Sequence, residues 1–485
     1  MPGLLMRQRD SRTACVMILL LLTLALVMAC IFQKDLRPPL LFLALSAVVG
    51  AVLAGMQLGK ERIGTAGVHL FGVWLMLGFA PLLDYRSGMF DQHYATYHFF
   101  PFLPTGEELT LASVAVVFWL LFFKLGYSPR IESAVNWIKN HNPRMGYFAI
   151  MAQCIVGVAA LAYIYEQVGF GVFTRRAFES FEYDTPGEFT FFTSTIRSVP
   201  LVALLALTLM LRDGKLLGAK KIIAVVLGAG LLIGNILINN PVAAARFFTG
   251  TVVLAFAYVL FFHRSRSGLS FLILGLIAVL VLFPIVDVGR GAVDLNELID
   301  DAPAFLDSLF AGDPYRTFEA IPAALRYLDQ NGSTYGLQLL GPLLFWIPRS
   351  FWPEKPVGSG SMLIEAFGGF HENVSCPAPC EALLNFGWIG IPIIAVAIAI
   401  ALRILDDVNR LPSVPDTQAY GVSLMNVMYP LLLGQVFFIT RGDFLSPWAF
   451  TVGIVIATIP MVLAEVLKRL LSLLILGSAR ETSNL

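Results

Sequence analysis

Charge is scarce in this sequence. Asp, Glu, Lys and Arg make up 14% of the 485 residues, against roughly a quarter in an average soluble domain. The 33 basic residues match 33 acidic ones, so total charge says nothing about partners, and no nucleic-acid partner is expected. Cysteine is scarce too, five in all; Cys15, Cys30 and Cys154 fall inside apolar runs and read as packing residues. No group of His, Cys and carboxylates has the spacing of a metal site, and neither a nucleotide-cradling glycine loop nor a GxSxG elbow occurs. No metal and no cofactor are therefore expected. Apolar segments of strand length with alternating polarity are also missing, which argues against a membrane β-barrel.

What the chain has instead is apolar bulk. It is 57% hydrophobic, with a mean hydropathy of +0.76. A soluble core of this size could not hide that much apolar surface. The apolar residues come in separate runs of about 14–20, the length of a membrane-crossing helix. Twelve spans are expected, at 14–32, 38–57, 65–83, 108–123, 146–165, 196–211, 222–239, 247–262, 269–286, 388–402, 423–440 and 446–464. Those at 108–123, 196–211 and 388–402 are short and need flanking residues to reach both interfaces. The expected fold is thus an all-α polytopic membrane protein. Arg7, Arg9 and Arg12 ahead of the first span suggest a signal peptide, but its apolar stretch is too long and no clear cleavage site follows, so a retained helix is expected.

Basic residues in alternate connections number twenty on one side and thirteen on the other. The richer side holds both termini, which places them in the cytoplasm. The opposite side receives a long segment, 287–387, with thirteen acidic residues and five basic ones. It divides the chain into membrane helices over 1–286, a large external loop over 287–387, and further helices with a tail over 388–485. A loop this long is expected to carry function. Within it, 335–347 (YGLQLLGPLLFWI) is apolar but broken by Gly341 and Pro342. It reads better as an interfacial or re-entrant helix than as a span.

Candidate residues cluster on that external side. Arg246, in NNPVAAARFFTG, opens span eight and is either a snorkelling interfacial arginine or a phosphate ligand. In IPRSFWPEKP (347–356), Pro348, Pro353 and Pro356 restrict the backbone. Trp346, Phe351 and Trp352 suit a membrane interface. Arg349 and Lys355 then present a planar fork and a point charge, the two cation types that bind phosphoryl oxygens; an ordinary interface anchor is the alternative. Arg441, in RGDF (441–444), binds an anionic headgroup or pairs with Asp443. Glu365, His371 and Glu372 flank Gly368 and Gly369. The apolar neighbours Met362, Leu363, Ile364 and Phe367 suggest partial burial of Glu365, and a structural polar role competes with an acid–base one. Arg316 and Glu319, in YRTFEAIPAALRYL, are spaced for a local ion pair on a helix. Tyr315, Phe318, Tyr327 and Leu328 are expected to form one apolar side of a short interfacial helix there. Cys376 and Cys380, in SCPAPC, are placed for a disulfide on an oxidising face, with the intervening prolines working against it; bridge and free thiols both stay open.

With NNPVAAARF at 239–247, YRTFEA at 315–320, YG at 335–336, IPRSFWPEKP at 347–356 and EALLNFGWIG at 381–390, in that order, the chain resembles the bacterial oligosaccharide repeat-unit polymerases of the Wzy type. SCPAPC departs from that pattern. The resemblance implies an inner-membrane, metal-independent glycosyltransferase of O-antigen and lipopolysaccharide biosynthesis, with the large loop in the periplasm. It would move a growing chain from one undecaprenyl diphosphate to the non-reducing end of an incoming lipid-linked unit. By position, diphosphate contact falls to Arg246 and Arg349, less securely to Arg441; Arg316 and Lys355 are further substrate-binding candidates. Glu365 or His371 would take the acceptor proton. Membrane lipids, a flippase and a chain-length regulator are the implied partners. A glycan ligase and a polysaccharide or lipid-carrier transporter are the rival readings.

Overall fold

The computed structural model describes residues 2–33, 37–60, 62–90, 99–168, 192–239, 246–262, 268–278, 315–369, 374–410 and 421–482. Among them, ten helical segments are long and apolar enough to cross a membrane. They coincide with ten of the twelve expected spans. The other two expected positions carry shorter apolar helices, Phe248–Phe261 and Gly268–Ile277. The expected short spans at 108–123 and 196–211 lengthen to Gly106–Tyr127 and Ser194–Arg212, because the polar residues flanking each apolar run are helical too. Glu108 illustrates this. Its amide is capped by Thr105 and its carboxylate returns to the Thr105 amide at 2.7 Å, closing a capping box. Strand structure is limited, among the described residues, to a two-residue antiparallel pair, Arg144–Met145 with Val422–Ser423.

The chain forms two compact units. The first comprises Met1–Glu132, Leu260–Arg410 and Gln435–Trp448. Its framework is α1 (Pro2–Gln33), α2 (Pro38–Leu58), α3 (Thr65–Ser87), α4 (Gly106–Tyr127) and α5 (Gly390–Arg410). Without water to drive helices together, close approach depends on small residues, and α2 supplies Ala47, Gly50, Ala51, Ala54 and Gly55 on its buried side. A Cβ on Gly55 would come within 2.6 Å of the Val16 backbone. Several polar groups inside are matched: Trp74 Nε1 donates to Thr23 Oγ1 at 3.0 Å. At the start of α3, the buried Asp406 carboxylate accepts from the Thr65 amide (2.6 Å), the Thr65 hydroxyl (2.8 Å) and Tyr127 Oη (2.6 Å). One turn along, Trp119 Nε1 donates to His69 Nε2, so the ring proton sits on Nδ1, which meets Thr440 Oγ1 at 2.8 Å.

The second unit comprises Ser133–Val259, Leu411–Gly434 and Ala449–Leu485. Several of its buried side chains bond to backbone. Gln153 Nε2 donates to the carbonyls of Val199 and Ala457, and its oxygen accepts from the Met461 amide. Arg197 is buried, donates to the Ile238 carbonyl and lies over the Phe248 ring.

Candidate site on the long segment

The described part of the long segment belongs entirely to the first unit and meets α3 near Asp84 and α4 at Glu108. It has three parts with different surroundings. The first runs from Tyr315 into α6 (Ala320–Asn331), and Tyr315 through Leu325 are buried without interruption. This corrects the expectation of an interfacial helix with one apolar side. The stretch is enclosed on all faces because its small residues Ala320, Ala323 and Ala324 admit close neighbours. The local ion pair expected from sequence spacing is present. Arg316 Nε donates to Glu319 Oε1 at 2.7 Å, with the two residues only 4% and 5% exposed. The guanidinium lies over Phe99, and Asp84 adds a second buried carboxylate beside the pair. Arg326 makes two 2.7 Å bonds to the Glu108 carboxylate and stacks 3.7 Å above the Phe102 ring. These contacts fasten α6 to the start of α4.

The second part, residues 335–357, is the opposite. Gly336, at φ 86°, starts α7 (Leu337–Leu343), a helix of seven residues. At roughly 10 Å it is too short to cross a bilayer. Gln338, Gly341 and Pro342 face inward, while Leu337, Leu340 and Leu343 face out. The turns that follow expose Trp346 (62%) and Phe351 (84%), with Arg349 exposed between them. Among the described residues, Arg349 bonds to its own turn, at 3.4 Å from the Pro353 carbonyl. Lys355 has another task. Its ammonium donates to the carbonyls of Phe345 and Ile347 and so clasps the turn. Burial and then the nearby Arg349 charge hold its pKa below the ordinary lysine value.

The third part joins this exposed ridge, residues 335–357, to the interior. α8 (Ser359–Phe367) leads to Cys376 and Cys380, which are bridged by a disulfide, and then to α9 (Ala378–Phe386). α9 bends back at 387–389 across the start of α5; a Cβ on Gly390 would run into the Ala382 carbonyl. The expected span at 388–402 therefore begins in this bend and continues as the first part of α5, which runs on to Arg410. Trp388 packs edge-on against Phe118, about half-way along α4. Asn385 connects this hairpin to the ridge: Oδ1 accepts from the Leu339 amide at 3.2 Å, and its carbonyl accepts from the Gly336 amide. Its Nδ2 donates to Glu381, whose carboxylate also accepts from Ser359 Oγ (2.8 Å) and the Phe444 amide (3.0 Å). Asp443, in the RGDF turn, lies beside Glu381 and accepts from the Ser446 amide at 3.2 Å. Burial pushes the Asp443 pKa above the usual carboxylate range. A Cβ on Gly358 would strike that carboxylate.

The RGDF turn therefore lies inside the unit rather than at a water-facing tip. Thr440, just before it, packs on Gly72 only seven residues from the start of α3. Arg441 is half-buried and engaged. Glu365 is exposed, which corrects its expected partial burial: Leu363 and Ile364 take the inward face of α8, and the helical turn carries the next residue outward. The Arg246 side chain and His371 lie outside the described residues. Sequence reading singled out neither Glu381 nor Asp443 as a buried pair. The usable signal was a carboxylate at the head of an apolar run, in EALLNF.

No family model, no curated protein and no solved structure matches this chain. Its functional reading therefore rests on the residues and their geometry.

Proposed function

We propose that this protein is a membrane-embedded glycosyltransferase that polymerises oligosaccharide repeat units carried on undecaprenyl diphosphate. The observation that carries the reading is Arg349. An exposed guanidinium, held in a proline-bounded turn between two exposed aromatic rings, suits an amphiphile with an anionic head and a long apolar tail. The resemblance of the short motifs, in their order, to the Wzy-type polymerases supplies the reaction class. The acceptor hydroxyl oxygen attacks the anomeric carbon of the growing chain and the bond from that carbon to the diphosphate breaks. Lipid diphosphate departs with the electron pair, and the acceptor proton passes to a base. Arg349 stabilises the leaving charge; the resemblance implies diphosphate contact for Arg246 and Arg441 as well. Glu365 and His371 are the base candidates, and Glu365 has the exposure a base needs. Lys355 shapes the turn that presents Arg349. Arg316 serves binding only by breaking its pair with Glu319.

On this reading the long segment faces the periplasm of a bacterial inner membrane, both termini are cytoplasmic, and a flippase and a chain-length regulator work beside the protein. The bridge between Cys376 and Cys380 supports the orientation, since disulfides persist on the oxidising side. Purified protein given defined undecaprenyl-diphosphate-linked units should yield a ladder of longer lipid-linked glycans. Product attached to another lipid or to protein would make it a ligase, and movement of substrate without new glycosidic bonds would make it a transporter.

A further inference from the structure

Away from the exposed stretch 335–357, the first unit has an open surface cavity of about 540 Å³ where α2 and α4 begin and α3 ends, within the size range of small-molecule sites. Its wall combines Arg37, Glu107, Thr110, Tyr85 and Phe90 with the rings of Pro38, Pro39 and Pro104. The chemistry of that wall narrows the ligand. A bare phosphate would gain from Arg37 but be opposed by Glu107. An acyl chain would strip water from both charges and return no hydrogen bond. A sugar answers all of it: hydroxyls both donate and accept, matching a carboxylate, a guanidinium and a phenol together. Thr110 already donates to the Gly106 carbonyl at 2.7 Å, which leaves its oxygen as an acceptor. The C–H faces of a pyranose fit against Phe90, Tyr85 and the proline rings.

We infer that this cavity is a glycan-binding site, with Arg37, Glu107, Tyr85 and Phe90 in its wall. It deepens the proposed function and rests on it only for which glycan is held, the acceptor repeat unit.

The test uses full-length protein in lipid nanodiscs and saturation-transfer difference NMR with maltotriose, N-acetylchitotriose and a mannotriose as probes. At least one should give a saturable signal, and Phe90→Ala and Glu107→Gln should each weaken it tenfold or more while thermal unfolding stays unchanged. Thr110→Val, a closer isostere, should weaken it about threefold. No saturable signal from any probe, or a signal indifferent to all three substitutions, overturns the assignment. So does binding of dodecyl phosphate in place of the sugars. A parallel transfer assay separates the two proposals. Sugar binding that depends on Phe90 and Glu107 without any chain extension keeps the cavity and removes the polymerase; extension with no such binding does the reverse.

Discussion

Two stretches of one long segment, 315–331 and 335–357, use the same residue type in opposite ways. Arg316 is enclosed, its charge matched by Glu319 with Asp84 alongside. Arg349 is exposed and, among the described residues, bonded to a carbonyl of its own turn. A buried arginine is committed to the fold, because removing its partner leaves a charge in a medium that cannot solvate it. An exposed arginine flanked by apolar rings commits nothing and is available to a ligand. In this protein, exposure separates an arginine committed to the fold from the one that the proposed function assigns to substrate.

The sharpest way to break that contrast is to remove partners. Glu319→Ala should cost about 3 kcal/mol of stability, the lower end for an orphaned buried charge because Asp84 remains nearby. Thermal unfolding in detergent would show it, and an unchanged melting temperature would erase the distinction. Arg349→Ala should instead leave stability within roughly 0.5 kcal/mol while cutting turnover of lipid-linked units on the order of 100-fold; Arg349→Lys should recover part of it. If Arg349→Ala unfolds as readily as Glu319→Ala, the ridge is structural.

Lys355→Met tests the clasp between the two regimes. Losing its bonds to Phe345 and Ile347 should loosen the turn by about 2 kcal/mol, seen as faster amide exchange over 345–355 with α6 unaffected. Cys376→Ser with Cys380→Ser should cost about 1–2 kcal/mol, small because the closed loop is short. The smallest effect concerns Asp443. Its raised pKa means the folded chain keeps a proton that the unfolded chain has released. Stability contributed by this group is thus full below the ordinary carboxylate pKa and is lost as pH rises through the folded value. Asp443→Asn should gain on the natural chain as pH rises across that window. A stability difference that stays flat with pH would show the carboxylate to be ionised in the fold.

Membrane character was legible in the sequence, since hydropathy over about twenty residues is a local property that packing does not alter. The pair Arg316–Glu319 was legible for the same reason: three residues apart on a helical turn, they meet whatever surrounds them. Glu365 shows the limit of local reading. Its neighbours are apolar, but the direction a side chain takes on a helix depends on which face packs.

By itself, then, the sequence determined where the apolar helices run and that a long polar-edged segment lies between two groups of them. Only the tertiary structure decided which part of that segment is interior and which is ridge. It alone brought Glu381 to Asp443, 62 positions apart, with Ser359 and Asn385 as hydrogen-bond donors to Glu381. The reason is physical: crossing a membrane requires only that each helix satisfy its own backbone, whereas burying a carboxylate requires donors from elsewhere in the chain.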